Sequence, residues 1–200
     1  MHDDMSLMVP PTTNLTALNM PRDREIVYRW AVNNGGAPAN VVTATLTVWG
    51  NKDRPTILVG IRAVNVHCQE APAWTFIYPL GGGEIGERMV SIDFDSASLD
   101  ARPVEDEITG EVFKFPLQVS RSDIERFRIR GATKSDCSYQ LELGYEEAGT
   151  VKYVAAGSGP YRVISSSRAS EKYRWTPLEA MESAEDRVTL EPCPPDECNI

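Results

Sequence analysis

From Ile26 onward the apolar residues of this chain recur at every second position, and the spacing predicts a series of short strands. In segment 26–32, Ile26, Tyr28, Trp30 and Val32 share a face, and Asn33-Asn34-Gly35-Gly36 then turns the chain with residues that tolerate positive φ. Segment 40–50 alternates Val42, Ala44, Leu46 and Val48 with Thr43, Thr45 and Thr47, the pattern of a strand with one buried and one wet face. Residues 56–68 are apolar on both faces, as a central strand requires. Trp74, Phe76 and Tyr78 continue the series, as do Phe113, Phe115, Leu117 and Val119 and then Phe127 and Ile129 between three arginines. Cys137, Tyr139, Leu141, Leu143 and Tyr145 form the longest alternation, and segments 150–156 and 160–165 end it. Roughly nine or ten strands with turn residues between them predict an all-β fold, an immunoglobulin-like antiparallel β-sandwich.

Outside the alternating body the pattern stops. Residues 1–25 carry prolines and no periodicity, so they read as a flexible N-terminal arm ahead of a sandwich domain spanning 26–163. Residues 164–170, "ISSSRAS", read as a linker into an acidic C-terminal tail that runs to residue 200. Short helical turns are expected near 122–126 and 177–187. Ser122-Asp123-Ile124-Glu125 has the capping-box form, and Thr176-Pro177-Leu178-Glu179 places proline at the first helical position. The tail is therefore either a short acidic helix or disordered. Asn14-Leu15-Thr16 fits the glycosylation sequon, a pattern short enough to arise by chance.

Charge narrows the possible partners. The formal net charge is −9, of which the tail 177–200 carries −6 (seven acidic residues against Arg187) and the first 25 residues −2. A near-neutral body with an acidic tail offers no footprint for a phosphate backbone, so no nucleic-acid partner is expected. No apolar run reaches the length of a membrane span. The N-terminus lacks the basic and apolar regions of a secretory signal, so a complete chain is expected in the cytoplasm, whereas a fragment of a longer protein can belong to any compartment.

Gly81, Gly83 and Gly86 fall at the G-x-G-x-x-G spacing of dinucleotide-binding loops. That motif works only when a helix leaves the glycines and points its N-terminus at the phosphates. Here Val90, Ile92 and Phe94 follow at period two, and Glu87-Arg88 stand where a P-loop needs Lys and then Ser or Thr. The glycines are read as a hairpin loop, and no cofactor is expected.

Little else points to catalysis. His2 and His67 are the only histidines, and His67 and Cys68, adjacent on a strand, point to opposite faces. Gly157-Ser158-Gly159 lacks the spacing of a nucleophile elbow. Asp93, Asp95 and Asp100 are weak metal candidates. Asp93 and Asp95 share a face if the strand continues, but the calcium-loop spacing is absent, and a solvated strand face is the simpler reading. The four cysteines leave several states open. Cys68 and Cys137 either bridge opposite sheets of the sandwich or remain buried thiols, with thiols preferred. Cys193 and Cys198 form a local disulfide, stay free, or supply half of a zinc site. Among the aromatics, Tyr173 and Trp175 beyond the linker are the candidates for docking on the sheet or on a partner.

The segments "FKFPLQVSRSDIERFRIRG", "SDCSYQLELGYEEAGTVKYV" and "GPYRVISSSRASEKYRW" together resemble a group of uncharacterised bacterial proteins. In that group a β-rich C-terminal domain follows a DNA-binding or membrane-anchoring segment. The likeness covers roughly residues 110–175 well and 26–100 loosely. This chain departs from it in having a single Cys137 where the group often has a close cysteine pair, and in lacking the upstream segment. The resemblance implies an interaction or sensor domain and supplies no ligand and no catalytic residue. The expectation is accordingly a non-catalytic β-sandwich that binds a protein partner, within a regulatory system. A structural subunit of a virion or surface layer, using its terminal arms, is the alternative. A metal-assisted hydrolase built on Asp93 and Asp95 ranks third.

Overall fold

The alternating segments pair into two four-stranded sheets that stack face to face. A computed structural model describes residues 6–15, 20–21, 23–50, 55–78, 88–105, 110–177 and 187–194. One sheet runs in the order β12 (Thr150–Ile164), β11 (Asp136–Glu147), β5 (Thr56–Gln69), β9 (Leu117–Val119). The other runs β4 (Val41–Val48), β10 (Glu125–Ala132), β7 (Arg88–Asp93), β8 (Arg102–Pro103). All pairs within them are antiparallel except β7 with β10, which is parallel. Side chains that alternate inward meet in one core: Phe127 and Ile129 from β10 and Val90 and Ile92 from β7, against Leu58 and Ile61 from β5 and Tyr139 and Leu141 from β11. The fold is all-β and sandwich-like, as the periodicity predicts. β5 lies between β11 and β9; Leu58, Ile61 and Ala63 face the core, while Arg62 on the other face pairs with Glu142.

Segments near both ends of the chain also join a sheet. A third sheet gathers β2 (Met20–Pro21), β14 (Arg187–Pro192), β13 (Glu171–Pro177), β6 (Thr75–Ile77), β1 (Leu7–Val9) and β3 (Ala37–Pro38) in that order. The expected flexible arm therefore supplies an interior strand: Leu7, Met8 and Val9 are each 0% exposed. Three residues are too few to show a period, so the pattern missed them. The expected sandwich boundaries 26–163 also do not partition the structure, since β3 and β6 lie within that range yet belong to the third sheet with both termini.

A helix, α1 (Arg24–Asn33), covers this sheet where a strand was expected. Asp23 caps it by accepting from the N–H groups of Glu25 and Ile26, and Glu25 pairs with Arg29 one turn on. The period-two face misled the reading. Val27 and Ala31, four residues apart, are the ones fully buried, whereas Ile26 and Val32 are more than 40% exposed. The helix packs Val27 and Ala31 onto Leu7, Val9, Ile77 and Leu190. On the opposite face of the sheet Met8 and Phe76 meet Ile164 at the end of β12, joining this sheet to the sandwich.

The remaining expectations divide. No helical turn forms at 122–126, because Ser120 makes the turn instead: its hydroxyl accepts from Asp123 N–H, its own N–H donates to Asp123 C=O, and β10 begins at Glu125. The helix expected over 177–187 is bounded by two strands, with β13 ending at Pro177 and β14 opening at Arg187; residues 178–186 lie outside the described residues. Segment 164–170 is a pinned junction and not a linker. Ser166 N–H and hydroxyl both donate to the Asn40 side-chain oxygen, and Ser165 N–H donates to Ser135 C=O. Gly81, Gly83, Gly86, Thr16 of the sequon and Cys198 lie outside the described residues. The segment beyond Gly86 is strand β7, with Val90 and Ile92 inward.

Candidate functional site at the open end of the sandwich

The two sheets part near the β11–β12 hairpin. β9 covers the start of β5 with only three residues there, and β4 ends at Val48. A cavity of about 600 Å³ results, floored by Val48, Leu58, Val119, Leu143 and Val154. Trp49, Tyr145, Glu146 and Glu147 complete its walls. Trp49 stands 62% exposed beside it. An apolar floor with a few polar groups at the rim, in this size range, is what small ligands and anchoring side chains occupy.

The hairpin sets this geometry. Ala148 and Gly149 form a two-residue loop with φ of 53° and 77°, the primed turn that matches strand twist. Lys152 donates to Glu147 at 2.7 Å beside the turn. On the outer face of the sheet Arg62 donates through Nε and a terminal nitrogen to one oxygen of Glu142, at 2.9 and 2.7 Å. Its guanidinium also stacks 3.5 Å from the centre of the Tyr153 ring. These contacts hold Tyr153 flat on the outer face while Val154 points into the cavity.

No protein-family model, curated protein or solved structure matches the chain.

The residues singled out from sequence lie elsewhere. Asp93 ends β7, and its carboxylate accepts from the N–H of Asp95 in the following turn, so the two do not share a strand face. Asp95 accepts from the Thr133 hydroxyl and from Lys134 N–H, tying that turn to the loop before β11. Asp100 accepts from Ser98. Each carboxylate fastens a loop, and among the described residues no group of three or more His, Cys, Asp or Glu is placed to hold a metal. His67 is exposed and lies opposite Ser138.

Cys68 and Cys137 form a disulfide. It joins β5 and β11, directly opposite each other within one sheet, where a bridge between opposite sheets or two free thiols had been the alternatives. Cys193 is also disulfide-bonded. Tyr173 and Trp175 line β13 and pack under α1 with Leu190 and Ile77, so their rings serve this chain's own third sheet.

Next to the disulfide lies the most buried charge described. Asp136, 3% exposed, accepts from Arg162 through both oxygens at 2.8 and 2.7 Å and from Gln69 at 2.9 Å. Burial alone would raise its pKa. The hydrogen bonds from Arg162 and Gln69 and the guanidinium charge outweigh burial and hold the carboxyl below its usual range. Arg162 also donates to Gly35 C=O and lies over the Trp74 ring, so the network links the sandwich to the third sheet. Nearby, burial and the neighbouring Tyr161 and Tyr28 push the Tyr139 phenol up.

Sequence reasoning missed the cavity because its walls come from five separated segments. The one available signal was Trp49, a large aromatic at a strand end followed by Gly50.

Proposed function

We propose that the protein is a non-catalytic interaction module whose binding site is the open end of the sandwich. The observation that carries this reading is Trp49, exposed beside a cavity floored by four buried aliphatic side chains and the exposed Val154. An exposed large aromatic next to a preformed apolar recess is the arrangement of an interface anchor. The oxidised cysteines favour an oxidising compartment, where the module would meet its partner. The alternative of an assembly subunit drew on spare terminal arms, and the segment Leu7–Val9 is instead committed to this chain's own sheet.

The test compares affinity capture from the native source by the wild type, Trp49→Ala and a control, Val112→Ser, at an exposed site outside the cavity walls. A partner retained by wild type and control and lost with Trp49→Ala is expected. Capture that is indifferent to Trp49 would remove the reading.

A further inference from the structure

We propose that the free edge of β12 between Val151 and Ala155 accepts an extended segment of a basic partner protein as an added β-strand, with the partner's inward side chains over the cavity. The proposal rests on the interaction-module reading and names its mode of recognition.

The hairpin determines which backbone groups are free. With a two-residue loop at Ala148-Gly149, the closing pair Glu147 and Thr150 exchange hydrogen bonds, and the pattern then alternates along the ladder. Tyr145 with Lys152 and Leu143 with Val154 therefore bond within the hairpin. Val151, Tyr153 and Ala155, facing Glu146, Gly144 and Glu142, direct their N–H and C=O groups away from β11. β12 is the terminal strand of its sheet. Among the described residues the only β-bridge on its other edge is Ile164 with Ala39, far from this stretch.

Natural edges are usually blunted by charge, proline or a bulge. Here Lys152 is the one charged residue from 150 to 156, and its ammonium is turned back onto Glu147. Pro160 and the positive φ of Gly157 come only after the stretch. Val151, Tyr153 and Val154 are left 48%, 46% and 48% exposed. Strand addition satisfies the outward amides and covers these side chains together.

Charge and position choose the occupant. Alternate side chains of an added strand fall beside Val154 and Trp49 at the cavity, which selects apolar residues there. Glu146 at the hairpin end is exposed and has no ion-pair partner among the described residues, and the hairpin segment 142–152 holds Glu142, Glu146 and Glu147 against the single cation Lys152. A basic segment gains from that local acidity, whereas the same edge of a second copy would bring the same acidic hairpin end against it.

The probes are a synthetic nine-residue peptide alternating valine and lysine, its valine–glutamate twin, and a twin N-methylated on alternate residues so that it cannot complete the ladder. Binding is read by fluorescence anisotropy, and protection by amide exchange with NMR. The lysine peptide is expected to bind at least about tenfold more tightly than either twin. It is also expected to slow exchange at Val151, Tyr153 and Ala155. Tyr153→Pro removes an outward N–H that β11 does not use and should abolish binding; Val154→Lys, at a half-exposed position, should do so in a chain whose folding is not in question. Equal binding of the glutamate twin, or protection confined to other strands, overturns the proposal. Self-association by light scattering that protects the same amides without peptide assigns the edge to a second copy and also overturns it. If the Trp49-dependent partner is captured while these amides stay unprotected, strand addition alone falls. Peptide binding alongside Trp49-indifferent capture sustains strand addition and removes the cavity reading.

Discussion

Replacing Asp136 with Asn keeps the side chain's shape and removes its charge at the point where sandwich and third sheet are joined. The carboxylate accepts three hydrogen bonds, two of them from the Arg162 guanidinium. Bonds to charged groups contribute about 1.5–3 kcal/mol each, and orphaning one member of a buried pair costs about 3–5 kcal/mol. Arg162 is 36% exposed and keeps its bond to Gly35, so it can recover part of its hydration. The expected loss is therefore about 2–3 kcal/mol at pH 7, below the full range for a buried pair. Because the native pKa of Asp136 is depressed from 3.8, its contribution is fully present above that value and is lost as pH falls through the native one. Asn does not titrate, so the stability gap between wild type and Asp136→Asn should be constant from neutral pH down to about pH 5 and shrink below about 3.8. Urea unfolding followed by tryptophan fluorescence across pH 2.5–7 measures both quantities. A gap under about 0.5 kcal/mol at pH 7, or one that persists unchanged in acid, would refute the assignment of Asp136 as the charged centre of this junction.

Three further perturbations test the architecture. Cys68→Ala/Cys137→Ala opens a loop spanning a sequence separation of 69, and chain entropy sets its cost at about 4 kcal/mol in denaturant titrations; a loss below about 1 kcal/mol would mean the bridge constrains little. Leu7→Ala should cost about 3 kcal/mol because the side chain is fully buried, whereas a mobile arm would tolerate it without change in melting temperature. Ala148→Asn relieves a non-glycine residue at φ 53° in the hairpin and should stabilise by about 0.5–1 kcal/mol; a destabilised hairpin would show that the turn is not of the primed type.

Local pattern and tertiary placement contributed different parts of this protein. Period two marked β4, β7, β10 and β11 and their inward faces correctly, because a half-buried strand writes its environment into alternate residues. The same rule failed at 26–32, where Ile26, Tyr28, Trp30 and Val32 mimic a strand. The cap at Asp23 and the docking of Val27 and Ala31 on a sheet assembled from both chain ends decide for a helix. Short strands such as Leu7–Val9 carry too few residues to show any period, so their partners alone determine them. The metal candidates Asp93 and Asp95 looked available because sequence cannot show that loop amides and a hydroxyl already occupy their oxygens. The cavity and the free edge of β12 were equally hidden. A recess between sheets and an unpaired ladder are properties of which segments end beside one another and which have no neighbour, and only the folded chain brings those segments together.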